Sequence, residues 1–351
     1  MKFKIYLILI SMSLFSCTTQ NSILYVGTYT NGDSEGIYSF QFNTETGELS
    51  NKQLAASTDN PSFITFSEDR KYLYAVGEGK TGAVSAFKVG NENNLELINT
   101  ADSNGGAPCH ISINKNRAVV SNYSGGTVSI YSINSDGSLN EASQVFNHNS
   151  DSIASHAHSA QFYKDQLYVS DLGRNGVYNY KLENDAYKLV DSSILNMTEK
   201  AGPRHFSLTK GGQFIYIINE YANTITSGKK AAGGFELLQN ISTLADDFKA
   251  KSYCADIHLS DDERFLYGSN RGENSIAVFK RNTNSGKLEK IQNISVHGDW
   301  PRNFTIDPSG KFLLVANQKS SNISVFKIKK ETGKLSFLHD IKTDTPVCLL
   351  F

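Results

Sequence analysis

The sequence predicts an all-β chain folded as a seven-bladed β-propeller. Three observations predict it: a repeat of about 45 to 50 residues, a proline at one fixed position of that repeat, and apolar strand runs separated by Gly, Asn and Asp turns. Five of the six prolines open short apolar strands, at Asn60-Pro61-Ser62-Phe63, Ala107-Pro108-Cys109-His110, Gly202-Pro203-Arg204-His205, Trp300-Pro301-Arg302-Asn303 and Thr345-Pro346-Val347-Cys348. Two further copies begin at His156-Ala157-His158 and Tyr253-Cys254-Ala255, lacking the proline but keeping the register.

Each start is followed by a second strand ending in a small residue and Asn, Asp or Gly: Tyr74-Ala75-Val76-Gly77, Val120-Ser121-Asn122, Tyr168-Val169-Ser170-Asp171, Ile217-Ile218-Asn219, Tyr267-Gly268-Ser269-Asn270 and Val315-Ala316-Asn317. Third strands match as well, as in Val128-Ser129-Ile130-Tyr131, Ile276-Ala277-Val278-Phe279 and Ile323-Ser324-Val325-Phe326. Period-2 alternation of β-branched and aromatic residues suits a half-buried strand. Six full units are expected from about residue 60 to about residue 343. The chain then ends on Pro346-Val347-Cys348-Leu349-Leu350-Phe351, a first strand with nothing after it. Leu24–Thr28, Gly36–Phe40 and Glu48-Leu49 onward supply second, third and fourth strands at the other terminus. A composite seventh blade from both termini therefore closes the ring and leaves no open sheet edge.

The 351 residues are read as a single propeller domain from 23 to 351, because a repeat array folds as one unit. A net charge of −1, with acidic and basic residues interleaved, carries no nucleic-acid footprint. Residues 1–17 are expected to be a lipoprotein-type signal peptide: Lys2 and Lys4 precede an apolar run from Ile5 to Phe15, too short for a mature membrane span. Leu14-Phe15-Ser16-Cys17 resembles a bacterial lipobox, which makes Cys17 the lipidated residue and 18–22 a linker; an ordinary secretory signal is the alternative. The expected location is the cell envelope, periplasm or outer membrane, with the lipid as the only membrane attachment. Cys109, Cys254 and Cys348 are odd in number and lack metal-ligand spacing, so they read as small core residues.

Positions that break the repeat mark the candidate site. The first strand of a blade lines the central channel, and its start meets the end of the second strand on one face. First-strand starts read Ser62, Cys109, His158, Arg204, Ala255, Arg302 and Val347, followed by Phe63, His110, Ser159, His205, Asp256, Asn303 and Cys348. Second-strand ends read Glu78, Tyr123, Leu172, Glu220, Arg271, Gln318 and Tyr29. Three arginines, several histidines and two glutamates thus converge on one channel mouth, whereas the far ends hold apolar residues such as Phe66, Ile113, Leu208 and Leu259. Taken singly, His110 and Asp256 read as hydrogen-bonded structural groups and Arg204 or Arg271 as an interblade ion pair. Charges crowded at a concave mouth shift one another's protonation and call for a ligand or for each other to offset desolvation. Arginine captures carboxylate or phosphate bidentately and stabilises an oxyanion. Glu220, held between Arg204 and Arg271, can orient or deprotonate a water, with His158 as acid/base partner. That set suits ester or lactone hydrolysis, or proton transfer beside a carboxylate. No Gly-x-Ser-x-Gly elbow, His-Glu-x-x-His or Gly-rich phosphate loop is present, and carboxylates at the mouth are too few for Ca²⁺, so neither metal nor cofactor is expected.

His156-Ala157-His158-Ser159, Gly202-Pro203-Arg204-His205, Asn219-Glu220, Ser269-Asn270-Arg271-Gly272 and Pro301-Arg302-Asn303-Phe304, with Val315-Ala316-Asn317-Gln318 after them, resemble the motifs of the seven-bladed propeller lactonases. That family includes propeller-type 6-phosphogluconolactonase and the carboxymuconate-lactonizing enzyme. The resemblance implies a metal-independent enzyme that opens or closes a lactone, with His158, Arg204, Glu220 and Arg271 as the catalytic set. Arg302 is expected to contact a substrate anion, and His110, His156, His205, Asn303, Gln318 and Glu78 to complete the binding site. Between His156 and His158, strand alternation assigns His158 to the channel. Tyr221–Lys229 departs from the pattern, lacking an apolar third strand, so an irregular blade edge is expected there. The expected reaction is hydrolysis of a sugar lactone, 6-phosphogluconolactone or a related aldonolactone; export favours unphosphorylated substrates. The alternatives are a muconate-type cycloisomerase and a non-catalytic binding propeller.

Overall fold

A computed structural model describes residues 21–191, 193–232 and 234–351. These residues form seven four-stranded antiparallel sheets, and the one helical element among them is a 3₁₀ turn at Asn91–Asn93. The inner strands of blades one to seven are Pro61–Phe66, Pro108–Asn114, Ala157–Tyr163, Pro203–Leu208, Tyr253–Leu259, Pro301–Ile306 and Pro346–Leu350. Each packs against the inner strand of the next blade, and the seventh touches the sixth and the first, so the ring is closed. The seventh blade is composite as expected, ordered Pro346–Leu350, Asn21–Thr28, Gly36–Asn43 and Leu49–Ser57. Its second strand begins at Asn21, and Asn21 and Ser22 pair with Asn43 and Phe42 rather than forming a linker. Cys17 and the signal segment lie outside the described residues. No helix among the described residues is long and apolar enough to cross a membrane.

Neighbouring blades are joined by a repeated contact. The turn between third and fourth strands carries a glycine with positive φ, at Gly47, Gly137, Gly286 and Gly333. A Cβ at these positions would collide with the ring of Phe312, Tyr72, Phe214 and Phe265, respectively, in the preceding blade. Beside this contact the hydroxyls of buried Tyr74, Tyr216 and Tyr267 donate to the carbonyls of Gly137, Gly286 and Gly333 at 3.0, 2.8 and 3.0 Å. The rings fill the interblade core while their polar ends stay satisfied.

All seven inner strands share a β-bulge at one position. In blade one Pro61 pairs with Gly77 and Phe63 with Val76, leaving Ser62 outside the ladder. Cys109, His158, Arg204, Arg302 and Val347 are skipped in the same way, and in blade five Ala255 and Asp256 together oppose one residue. A bulge adds a residue and redirects its side chain. It is therefore the bulge, rather than simple alternation, that turns His158 to the channel. The residue before each inner-strand proline has positive φ: Asn60 44°, Ala107 51°, Gly202 69°, Trp300 67° and Thr345 38°. Its carbonyl then accepts from the backbone N–H of Glu78, Tyr123, Glu220, Gln318 and Tyr29, respectively; His156 does the same for Leu172 without a proline.

The expected irregular edge after Glu220 is not found. Thr224–Ala231 is a regular third strand paired residue for residue with Phe214–Asn219. Its polar side chains are accommodated because Thr226 Oγ1 bonds Asn240 Oδ1 at 2.5 Å and receives Asn219 Nδ2 at 2.8 Å. Asparagines at the other second-strand ends likewise tie down turns, as Asn122 Nδ2 does to Ser103 O and Asn317 Nδ2 to Ser324 Oγ.

Blade three is tied to its neighbour by a polar cluster. Asp171 Oδ2 accepts from Ser155 Oγ at 2.5 Å and lies 3.0 Å from His148 Nδ1, while His148 Nε2 meets Tyr180 OH at 2.6 Å. Ser, His and Asp are all present, yet the serine bonds the aspartate and not the histidine, so no nucleophile–base pair exists. The cluster is a staple. We predict that His148→Ala lowers unfolding stability by about 3 kcal/mol in urea titrations, because Asp171 is left buried and short of a partner.

Candidate active site

Two layers of side chains cross the channel below a rim. The bulged positions form the upper layer, the next residues of the inner strands the lower one, and the second-strand ends the rim. Glu220 occupies the centre of the charged cluster. Its Oε2 lies 2.7 Å from Arg271 Nη2 and 3.1 Å from Arg204 Nε, with 15% of the side chain exposed. The Arg204 contact is an ion pair without hydrogen-bond alignment, since Nε makes no hydrogen bond. Arg204 Nη1 donates to Ala255 O at 2.5 Å and Arg271 Nη2 to Cys254 O at 2.8 Å, so blade five's inner backbone orients both guanidiniums. Arg271 also packs beside Trp300, whose ring carries Lys319 Nζ at 3.4 Å. Arg271 Nε and Gln318 Oε1 are buried without a hydrogen-bond partner among the described residues.

A second cationic centre lies towards blades six, seven and one. Arg302 Nη2 is 3.6 Å from Glu78 Oε2, which also accepts from Tyr29 OH at 2.8 Å, and the guanidinium lies over the Tyr29 ring. Burial, then Arg271 and Arg302, bring Arg204 down to about 10, so it remains a cation at neutral pH. His158 is buried, and burial followed by Arg204, His205, Arg302 and Arg271 holds it well below its usual value. The imidazole is therefore neutral at pH 7, with one N–H to donate, and the surrounding arginines make it reluctant to hold a second proton.

The lower layer plugs the channel. Asn303 Nδ2 donates to Asp256 Oδ2 at 2.6 Å and its Oδ1 accepts from Leu349 N at 2.7 Å, which engages both ends of the amide expected to meet substrate. His205 Nδ1 lies 2.8 Å from Asp256 Oδ1. His110 lies tilted against Phe63 and edge-on to His205, with its Nδ1 3.4 Å from Ala160 N. These three form the floor rather than the open face of the site. His156 sits at the rim, stacked on Tyr123 at 4.5 Å with Nδ1 3.0 Å from the Tyr123 carbonyl.

Sequence reasoning left Tyr29, Tyr123 and Trp300 out of the site. Tyr29 and Tyr123 stand in the same column as Glu220 and Arg271, and Trp300 precedes a repeat proline, so the repeat register was the signal that identifies them. Cys109, read only as a core residue, is the upper-layer neighbour of His158, with Sγ 3.8 Å from Nδ1. The cleft on the opposite face lined by Asp261, Asp262, Lys311 and Lys330 also carries charge, but neither arginine nor histidine lines it. Among the described residues no three His, Cys, Asp or Glu side chains are grouped to hold a metal ion.

A closed seven-bladed ring with paired arginines around a carboxylate at one mouth defines a propeller with an anion-complementary site. The family model "Lactonase, 7-bladed beta-propeller" matches residues 23–351, and the chain belongs to that family. It is 35% identical over 298 residues to 6-phosphogluconolactonase of Bacillus subtilis, covering 81% of this chain and 85% of the relative. It is 36% identical over 309 residues to a 6-phosphogluconolactonase of Formosa agariphila, covering 82% and 87%. Among solved structures, a candidate 6-phosphogluconolactonase of Bacteroides fragilis superposes with a TM-score of 0.87 at 34% identity, covering 95% of this chain and 99% of that one. The periplasmic gluconolactonase of Pseudomonas aeruginosa gives 0.86 at 28% identity, covering 94% and 99%.

Burial pushes the Cys109 thiol well up and the Cys254 and Cys348 thiols up to about 12. A raised thiol stays protonated at pH 8 and is a poor nucleophile. Cys109, Cys254 and Cys348 should therefore not react with Ellman's reagent in the native protein at pH 8, and all three should react in guanidinium.

Proposed function

We propose that the chain hydrolyses an aldonolactone to the open-chain acid at the mouth formed by Arg204, Glu220, Arg271 and His158. The observation that carries this reading is Glu220 held between two buried arginines, 2.7 and 3.1 Å away, on a rim that faces solvent. Arg204 and Arg271 are cations positioned to bind the carbonyl oxygen and to stabilise the oxyanion as water adds to the lactone carbon. Glu220 takes the proton from the attacking water. Collapse of the tetrahedral intermediate breaks the bond between carbonyl carbon and ring oxygen, and the proton passes to that oxygen, with neutral His158 beside the arginines available to relay it. One water is consumed and one hydroxy acid forms. Arg302, 3.6 Å from Glu78 and over the Tyr29 ring, is the cation placed to meet an anionic or hydroxyl group elsewhere on the substrate.

We infer that the protein acts outside the cytoplasm, held by lipid on Cys17, and that its substrates are unphosphorylated aldonolactones. The support is the signal-like sequence of residues 1–17 and the description of the Pseudomonas relative as periplasmic. Cys17→Ala should move the full-length chain from the membrane to the soluble fraction; equal partition of both forms would remove the anchor.

A pH-stat assay of residues 21–351 on glucono-δ-lactone and its 6-phosphate, corrected for spontaneous hydrolysis, tests the activity. Turnover is expected, with Glu220→Gln reducing kcat/KM by about 10²- to 10⁴-fold. In ¹⁸O-water the acid should carry solvent oxygen. Folded protein without turnover on either lactone would sink the hydrolase reading in favour of a binding propeller. An open-chain acid product free of label would indicate lactonising chemistry.

A further inference from the structure

Asp256 belongs to the floor of the channel, and none of the chemistry above uses it, although it is the most connected side chain there. It is 2% exposed. Oδ1 accepts from Ile257 N at 2.9 Å and faces His205 Nδ1 at 2.8 Å. Oδ2 accepts from Asn303 Nδ2 at 2.6 Å and Phe304 N at 3.2 Å, and faces His258 Nε2 at 2.9 Å. Both histidine contacts are hydrogen bonds to a carboxylate, which makes His205 Nδ1 and His258 Nε2 the protonated nitrogens. His205 is then left with an Nε2 lone pair, and Arg204 Nη1 lies 3.4 Å from it. A line of polar contacts thus runs Arg204, His205, Asp256, His258. Its far end is open: although packed among inner strands, His258 leaves 41% of its side chain exposed and borders the cleft with Thr305 and Asp307 on the face opposite the site.

We propose that Asp256 and His205 are positioning residues for Arg204, fixing the His205 tautomer that receives the guanidinium, and that His258 couples this array to solvent at the far end of the channel. The importance of Arg204 rests on the lactonase reading; the array itself does not. The groups facing His205 are Arg204 on its own strand, His158 from blade three, His110 from blade two, and Asp256 and His258 from blade five; Phe63 and Asn303 contribute no charge. Burial first, then Arg204, bring His205 down to about 4 against the pull of Asp256, so it is neutral in the working range. Asp256, 2.9 Å from Nε2, raises His258, which keeps positive charge at the far end to higher pH. That charge offsets Asp256 as seen by His205. Without it, the carboxylate would draw a proton onto His205 at a higher pH than now, and the Nε2–H so formed would point towards Arg204 and repel it.

Histidine ¹⁵N NMR on residues 21–351 tests this directly, with His205 assigned by loss of its signal in His205→Gln. His205 should appear as the neutral Nδ1–H tautomer down to about pH 4. In His258→Gln its titration midpoint should rise by about one pH unit. An Nε2–H tautomer, or an unchanged midpoint in His258→Gln, would overturn the proposal whatever the lactone assay gives. Where Asp256→Asn folds, kcat should fall by about tenfold or more with a smaller change in KM, as misplacing a stabilising cation predicts; a change in KM alone would oppose the positioning role.

Discussion

One backbone device organises the molecule: a bulge at the start of every inner strand, preceded in five of the seven blades by a left-handed residue and proline. In those five blades the carbonyl of the left-handed residue captures the N–H of the residue that ends the second strand. The bulge behind it removes one residue from the ladder and turns that side chain into the channel. Every blade therefore delivers one bulged residue and one strand-end residue to the same small space. In blades four and five these are Arg204, Glu220 and Arg271; in blades six, seven and one they are Arg302, Tyr29 and Glu78. The chemistry is what the repeat places there when the repeated residue changes type.

Such a concentration of charge is costly unless each member is paired. The structure meets that demand by sharing. Glu220 serves two arginines, Glu78 serves Arg302 and Tyr29, and the inner-strand carbonyls of Cys254 and Ala255 each accept one hydrogen bond, from Arg271 and Arg204 respectively. The histidines beneath are kept neutral by burial and by the same arginines, so they add hydrogen-bonding capacity without adding charge.

The floor of the channel explains why the site is a mouth and not a pore. Phe63, His110, His205, Asp256 and Asn303 come from five different blades and touch one another across the axis. Asp256 joins blades four, five and six directly, and Asn303 extends the connection to Leu349 of the closing strand. The layer that holds the ring together at its centre is thus the layer on which the arginines rest.

Much of this was legible in the chain because a repeat permits comparison at equivalent positions. The five prolines, the strand-end Asn, Asp and Gly residues and the orphan first strand at Pro346–Leu350 determine seven blades and their closure, since each is a local signal tied to backbone geometry. The columns containing His158, Arg204, Arg302, Glu220 and Arg271 followed from the same register. Depth within the channel did not, because alternation cannot register a bulge: it gave no sign that His205 and Asn303 lie a layer below His158. The polar third strand Thr224–Ala231 looked irregular because its hydroxyl partners, Asn219 and Asn240, are known only once strands are paired. Pairing across blades was decided by tertiary structure alone. The Glu220 clamp, the Trp300 contact with Arg271 and the line from Arg204 to His258 all join residues far apart in sequence, brought together by the closing of the ring.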